Sequence, residues 1–112
     1  MTQKSDWKFY ALHILDCIEK IQTIQKRGDI SEDFVLYDAI LRNLQTLSES
    51  ASHLPDHLTQ DYNLVPWKNI RGFRNILVHN YLGDIDPISI QKVINEHLTI
   101  LETTVKSMLE KK

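Results

Sequence analysis

An all-α fold, an antiparallel helical bundle, is what these 112 residues predict, on three observations. Apolar residues recur at spacings of three and four along most of the chain, the period of a helix with one buried face. Only three glycines and three prolines punctuate it, and each except Gly72 falls where a helix can begin or end. No part of the chain reads as strand-rich.

The first helix carries Tyr10, Ile14, Cys17, Ile18, Ile21 and Ile24 as its stripe. It should end near Lys26-Arg27-Gly28, with cations in the last turn and glycine beyond. After a short turn, Ser31 or Asp33 can cap a second helix. Its stripe runs Tyr37, Ile40, Leu41, Leu44, Leu47, Ala51 and Leu54, and Pro55 stops it. Residues 55–65 keep no sustained period and read as a connecting loop with room for one helical turn. Pro66 takes the favoured first position of a third helix that runs to Asn80. Residues 81–86 form a tight connector, and Asp86-Pro87 opens a last helix with a cap followed by proline. Ile90, Val93, Ile94, His97, Leu98, Leu101, Val105 and Met108 are its stripe. Three long helices and one shorter one, joined by short links, close as a single bundle over residues 1–112.

Size limits what such a bundle can enclose. A chain this long buries roughly 65% of its unfolded surface, enough for one core but not for a large internal chamber. An active site must then be a surface groove or a subunit junction. The 42% apolar and 25% charged residues exclude wholesale disorder and fibrous classes. No stretch approaches the roughly 20 apolar residues of a membrane span, and the first residues lack the apolar run of a signal peptide. Lone Cys17 has no disulfide partner. Together these predict a cytoplasmic protein with no membrane association.

The net charge of −2 argues against a nucleic-acid partner until its distribution is read. Between Asp61 and Asp84 there is no acidic residue, whereas Lys68, Arg71 and Arg74 all fall inside that window. The remainder carries ten cations against fifteen anions. The third helix is therefore a basic element on an acidic body. At about 100° per residue, Ile70, Phe73, Ile76 and Leu77 share one side, while Lys68, Arg71, Asn75 and His79 line the opposite, solvent side. Arg74 lies on the border.

Those groups suit a phosphodiester. Arginine presents a planar fork of donors to phosphate oxygens, and histidine exchanges protons near neutral pH. Asn75 can orient an imidazole or contact a sugar hydroxyl. The set is sufficient for metal-free RNA cleavage by the 2′-hydroxyl. Arg74 and His79 stand about 140° apart around the helix and about 7.5 Å apart along it, which suits joint action poorly within one copy. Two such helices meeting across a two-fold axis bring one chain's His79 beside the other's Arg74, and double the +3 window to a +6 cleft.

The sequence Arg74-Asn-Ile-Leu-Val-His79-Asn-Tyr81 fits Arg, four residues, His, one residue, Tyr, and resembles the signature of HEPN-domain ribonuclease toxins. The likeness extends to their HepT branch through Ile40-Leu-Arg-Asn-Leu44, Glu49-Ser-Ala51, Val65-Pro-Trp67 and Gly83-Asp-Ile-Asp86, covering residues 6 to 105. The resemblance implies a HEPN-like up-and-down bundle of four to five helices, and a homodimer with the motifs meeting in an interfacial cleft. It also implies metal-independent endoribonuclease activity, with tRNA and mRNA both open as substrates, and no cofactor. Its usual partner is a minimal nucleotidyltransferase antitoxin of the MntA type, which transfers AMP to the motif tyrosine. Carried over, Arg74 and His79 are the catalytic pair, Asn75 the polar neighbour, and Tyr81 the modification site and a contact in the cleft. Arg71 and Lys68 are supporting RNA contacts.

Each residue also has a plainer reading. Arg74 can be a surface ion-pair residue, His79 a cation on the helix C-terminus, and Tyr81 an interface aromatic. Arg42, Asn43 and Glu49 suit an ion-pair network beside the third helix, and Gly72 a close helix crossing. Trp7 and Trp67 read as core or interface aromatics. His53 and His57 have a zinc-like spacing, but Pro55 between them breaks the helix, so no metal site is expected. His97 reads as a satisfied core histidine. The rival to an enzyme is a non-catalytic helical module that docks a partner nucleotidyltransferase.

Overall fold

A computed structural model describes residues 3–80 and 86–111, with side chains described for 7–73 and 86–111. The described residues form α1 (Gln3–Arg27), α2 (Phe34–Ala51), α3 (Asp56–Thr59), α4 (Trp67–Asn80) and α5 (Pro87–Glu110), with no strand among them. The expected all-α bundle is the fold. α1 packs most extensively on α2, α2 on α4, and α1 on α5. The helix that carries the Arg-x4-His pattern thus hangs on α2, which in turn is seated on α1.

The core follows the sequence stripes. Ile14, Ile18 and Ile21 of α1, Ile40 of α2, and Ile90, Leu101, Val105 and Met108 of α5 are fully buried, and both tryptophans belong to the same cluster. Burial of this apolar surface, at about 25 cal/mol per Å², is the main force holding the helices together. Cys17 is buried among them, and desolvation pushes its thiol above the ordinary range while a hydrogen bond with Thr46 works in the opposite sense. Its thiolate is correspondingly scarce at neutral pH.

The ends of the helices have identifiable causes. α1 stops at Arg27, with Lys26 and Arg27 in its last turn. In the turn that follows, Ser31 donates both its amide and its hydroxyl to Asp29 Oδ1, at 2.9 and 2.8 Å. These bonds hold the Asp29 carboxyl below the usual carboxylate range. The folded pKa being depressed, the associated stability is present above the unfolded pKa and lost as pH falls through the folded one. With Ser31 engaged there, Asp33 is the cap of α2, accepting from the Val35 amide at 2.9 Å.

α2 ends at Ala51, three residues before the Leu54 expected from the stripe. The amides of His53 and Leu54 reach back only three residues, to Ser50 and Ala51, and the Ser52 hydroxyl donates to the Glu49 carbonyl at 2.6 Å. The last turn is thereby tightened, and the residue before Pro55 is unsuited to α geometry. Leu54 nevertheless stays buried. Residues 55–65 include one helical turn, α3. Pro66 lies one position outside the helix it was expected to begin, its carbonyl accepting from Ile70. Asp86 caps α5 through the Ile88 amide at 3.2 Å, with Pro87 first in the helix. A Cβ built on Gly72 meets nothing within 4 Å, so no described packing inside the chain requires glycine there.

Candidate functional site

α4 is anchored at its start. Trp67 is buried and its indole donates to the Tyr62 carbonyl at 3.0 Å, while Ile70 is buried one turn on and Phe73 is half-buried. Beneath this apolar side lies a cavity of about 220 Å³, lined by Leu44, Leu47, Ile70, Phe73, Leu98 and Leu101 among others. His97 borders it and is half-buried, its nearest carboxylate being Glu96 at 4.0 Å. It is therefore no satisfied core histidine, but a partly exposed group at the junction of α2, α4 and α5.

The largest departure from the helical wheel is Arg71. Expected on the solvent side, its side chain is only 26% exposed and is folded onto the end of α2. Nε donates to the Ala51 carbonyl at 3.2 Å and Nη2 to the Leu54 carbonyl at 3.0 Å, while Nη1 lies 3.4 Å from Asp56 Oδ1. The setting is the end of α2, whose last turn has no basic residue of its own and whose terminal carbonyls are met otherwise, among the described residues, only by the tightened turn that follows. A cation there is favoured by the helix dipole, and α4 supplies it. Arg71, expected as an RNA contact, is thus engaged with the end of α2 in the free chain. Asp56 also offsets one of the three charges counted in the basic window, because proximity in space, not in sequence, sets the local field.

Lys68 is exposed and makes no ion pair among the described residues, as does Glu49 on α2. Arg74, Asn75 and His79 belong to α4, whose helical backbone runs unbroken to Asn80, but their side chains lie outside the described residues. Tyr81 lies outside them altogether. The continuous helix places Arg74 and His79 three and eight residues beyond Arg71, about 4.5 and 12 Å along the axis.

A second polar group was not legible in the sequence. Between α1 and α2, His13 Nδ1 meets Ser50 Oγ at 2.6 Å, Cys17 Sγ meets Thr46 Oγ1 at 3.4 Å, and the rings of Tyr10 and His53 stack at 4.3 Å. The signal is two matched sets: positions 10, 13 and 17 on one helix face, and 46, 50 and 53 opposite. His53 is thereby committed to Tyr10, whereas His57 sits in α3. No group of three His, Cys, Asp or Glu side chains suited to a metal ion occurs among the described residues.

Comparison with known proteins agrees on one family. The family described as ribonuclease HepT-like matches residues 14–108. A protein of Caldanaerobacter subterraneus subsp. tengcongensis, named "Putative RNase", is 35% identical over 106 residues, which is 91% of this chain and 93% of the relative. The "Probable ribonuclease HepT" of Thermococcus cleftensis is 26% identical over 88% of this chain and 92% of its own length. A Methanocaldococcus jannaschii protein named "Gamma-glutamylcyclotransferase and putative RNase" is 29% identical over 96% of this chain, which spans only 49% of that relative. No solved structure matches the chain significantly.

Proposed function

The chain belongs to the HepT-like ribonuclease family, and on that premise we propose that it is the toxin of a toxin–antitoxin pair, a metal-independent endoribonuclease acting as a homodimer. The observation that carries this reading is the coincidence of the family match over residues 14–108 with the Arg74-x4-His79-x-Tyr81 pattern, set on one continuous helix and the residue after it.

In the proposed reaction an imidazole accepts the proton of a ribose 2′-hydroxyl, whose oxygen attacks the adjacent phosphorus. The bond to the 5′-oxygen breaks, and a second imidazole protonates that oxygen as it leaves. The products are a 2′,3′-cyclic phosphate and a free 5′-hydroxyl. Arg74 offsets the negative charge that builds up on the phosphoryl oxygens in the transition state. Two copies of His79 across a two-fold axis supply base and acid, which fits a chain too small to enclose a site.

Incubating the purified chain with labelled RNA in excess chelator should release fragments ending in cyclic phosphate. Cleavage that disappears with the chelator would defeat metal independence, and no cleavage at all would defeat the reading and leave the docking module in its place.

Neutralisation, on the same reading, is AMP transfer from ATP to Tyr81 by a minimal nucleotidyltransferase partner. The phenolic oxygen attacks the α-phosphorus and pyrophosphate leaves. An adenylate two residues beyond His79 adds bulk and negative charge where an RNA phosphate must approach. With partner and ATP, the wild-type chain should gain the mass of one or more adenylates, and Tyr81→Phe none; equal labelling of the two would move the modification elsewhere.

A further inference from the structure

We infer that Arg71 is a positioning residue: by joining the end of α2 to α4 it fixes the rotational setting of the helix that presents Arg74 and His79, a role that rests on reading those two residues as the catalytic pair. Its three donor nitrogens face acceptors on three consecutive segments, namely the last residue of α2, the tightened turn after it and the first residue of α3. Few side chains can do this. The guanidinium is planar and its donors diverge in fixed directions, so the three contacts together fix its placement on the end of α2, and the arginine stem ties α4 to that point.

The rest of α4's described packing is less directional. Ile70 seats the helix through apolar contact, which has no preferred angle, and the one directional bond of Trp67, to the Tyr62 carbonyl, lies at the first residue of the helix. Among the described residues, the cavity of about 220 Å³ under Ile70 and Phe73 leaves that side of the helix incompletely packed. A roll of about 20° would carry an atom some 5 Å from the axis through nearly 2 Å. A misplacement of about 1 Å can cost on the order of a hundredfold in rate. Arg71 restrains this motion from the second turn of α4, three residues before Arg74.

Arg71→Lys separates positioning from simple stabilisation. Lysine keeps a cation near the α2 carbonyls, but its three donors share one nitrogen and cannot reproduce the spread of Nε, Nη1 and Nη2 over these acceptors. Steady-state cleavage of a fluorescent mixed-sequence RNA oligonucleotide, measured well below each variant's melting temperature, should show kcat reduced roughly tenfold or more with KM changed by less than about twofold, and a thermal midpoint close to wild type. Arg71→Met should lower both kcat and the midpoint. Asp56→Ala, which removes only the most exposed acceptor, should produce a smaller fall in kcat of the same kind.

Wild-type kcat in Arg71→Lys, or a kcat that falls only as the folded fraction falls, overturns the positioning role while the ribonuclease reading stands. A wild-type chain that cleaves no better than His79→Ala overturns that reading, and the positioning role with it.

Discussion

His79→Ala should lose RNA cleavage by at least 10²- to 10⁴-fold, the usual worth of a positioned general acid or base, and by more if both copies of His79 act in each event. The fold should survive. Position 79 is next to last in α4, at the opposite end from the Trp67 and Ile70 anchors. If His79 served only as a cation on the helix C-terminus, its removal would cost about 0.3–1 kcal/mol and lower the thermal midpoint by a few degrees, leaving cleavage intact. Paired measurement of rate and melting therefore separates the two roles. Mixing equal amounts of His79→Ala and Arg74→Ala chains under conditions that exchange subunits adds a geometric test. If a single His79 working beside the other chain's Arg74 is enough, each mixed dimer regains one intact pair and about a quarter of the sites become whole, whereas the proposed use of both histidines in one event leaves the mixed dimers inactive. No recovery would place each pair within a single chain, or require both histidines at once. Retained cleavage in His79→Ala alone would remove the residue from the mechanism.

The stripes that predict α1, α2 and α5 were legible because burial on one face imposes a period on the sequence, and the caps were legible because a free amide needs an acceptor nearby in the chain. Asp33 and Asp86 are both of this local kind. Arg71 was not legible, because its partners lie 15 to 20 residues away and exist only once α2 has ended early. A helical wheel sees one helix and assigns any charged residue opposite the apolar side to solvent. The clue was instead in α2, a helix whose last turn carries no cation. His13 and Ser50 fail for a related reason, being 37 residues apart, with neither side of the pair unusual alone. The family pattern from Arg74 to Tyr81 was readable as a motif, while the chemistry proposed for it rests on a meeting of two α4 copies that one chain's sequence does not specify.

Ile18→Ala should cost about 2–5 kcal/mol, the range for truncating a fully buried aliphatic side chain, out of a total of roughly 5–15 kcal/mol for a domain. At about 4–8 °C per kcal/mol for a chain near this size, the thermal midpoint should fall by on the order of 8–40 °C, readable by circular dichroism. Ile18 lies in the middle of α1, the helix that packs on both α2 and α5, so the void opens where those contacts converge. Leu64→Ala provides the contrast: at 82% exposure it should change stability by no more than about 0.5 kcal/mol. A loss below about 1 kcal/mol for Ile18→Ala would mean that the centre of α1 is not in the core. The substitution also tests how stability and catalysis are coupled. Because α4 packs chiefly on α2 rather than on α1, a folded Ile18→Ala molecule should keep the wild-type kcat, and its activity should decline along its own melting curve. A lowered kcat well below that curve would instead mean that the α1 core sets the geometry of α4, and that Arg71 does not restrain that helix unaided.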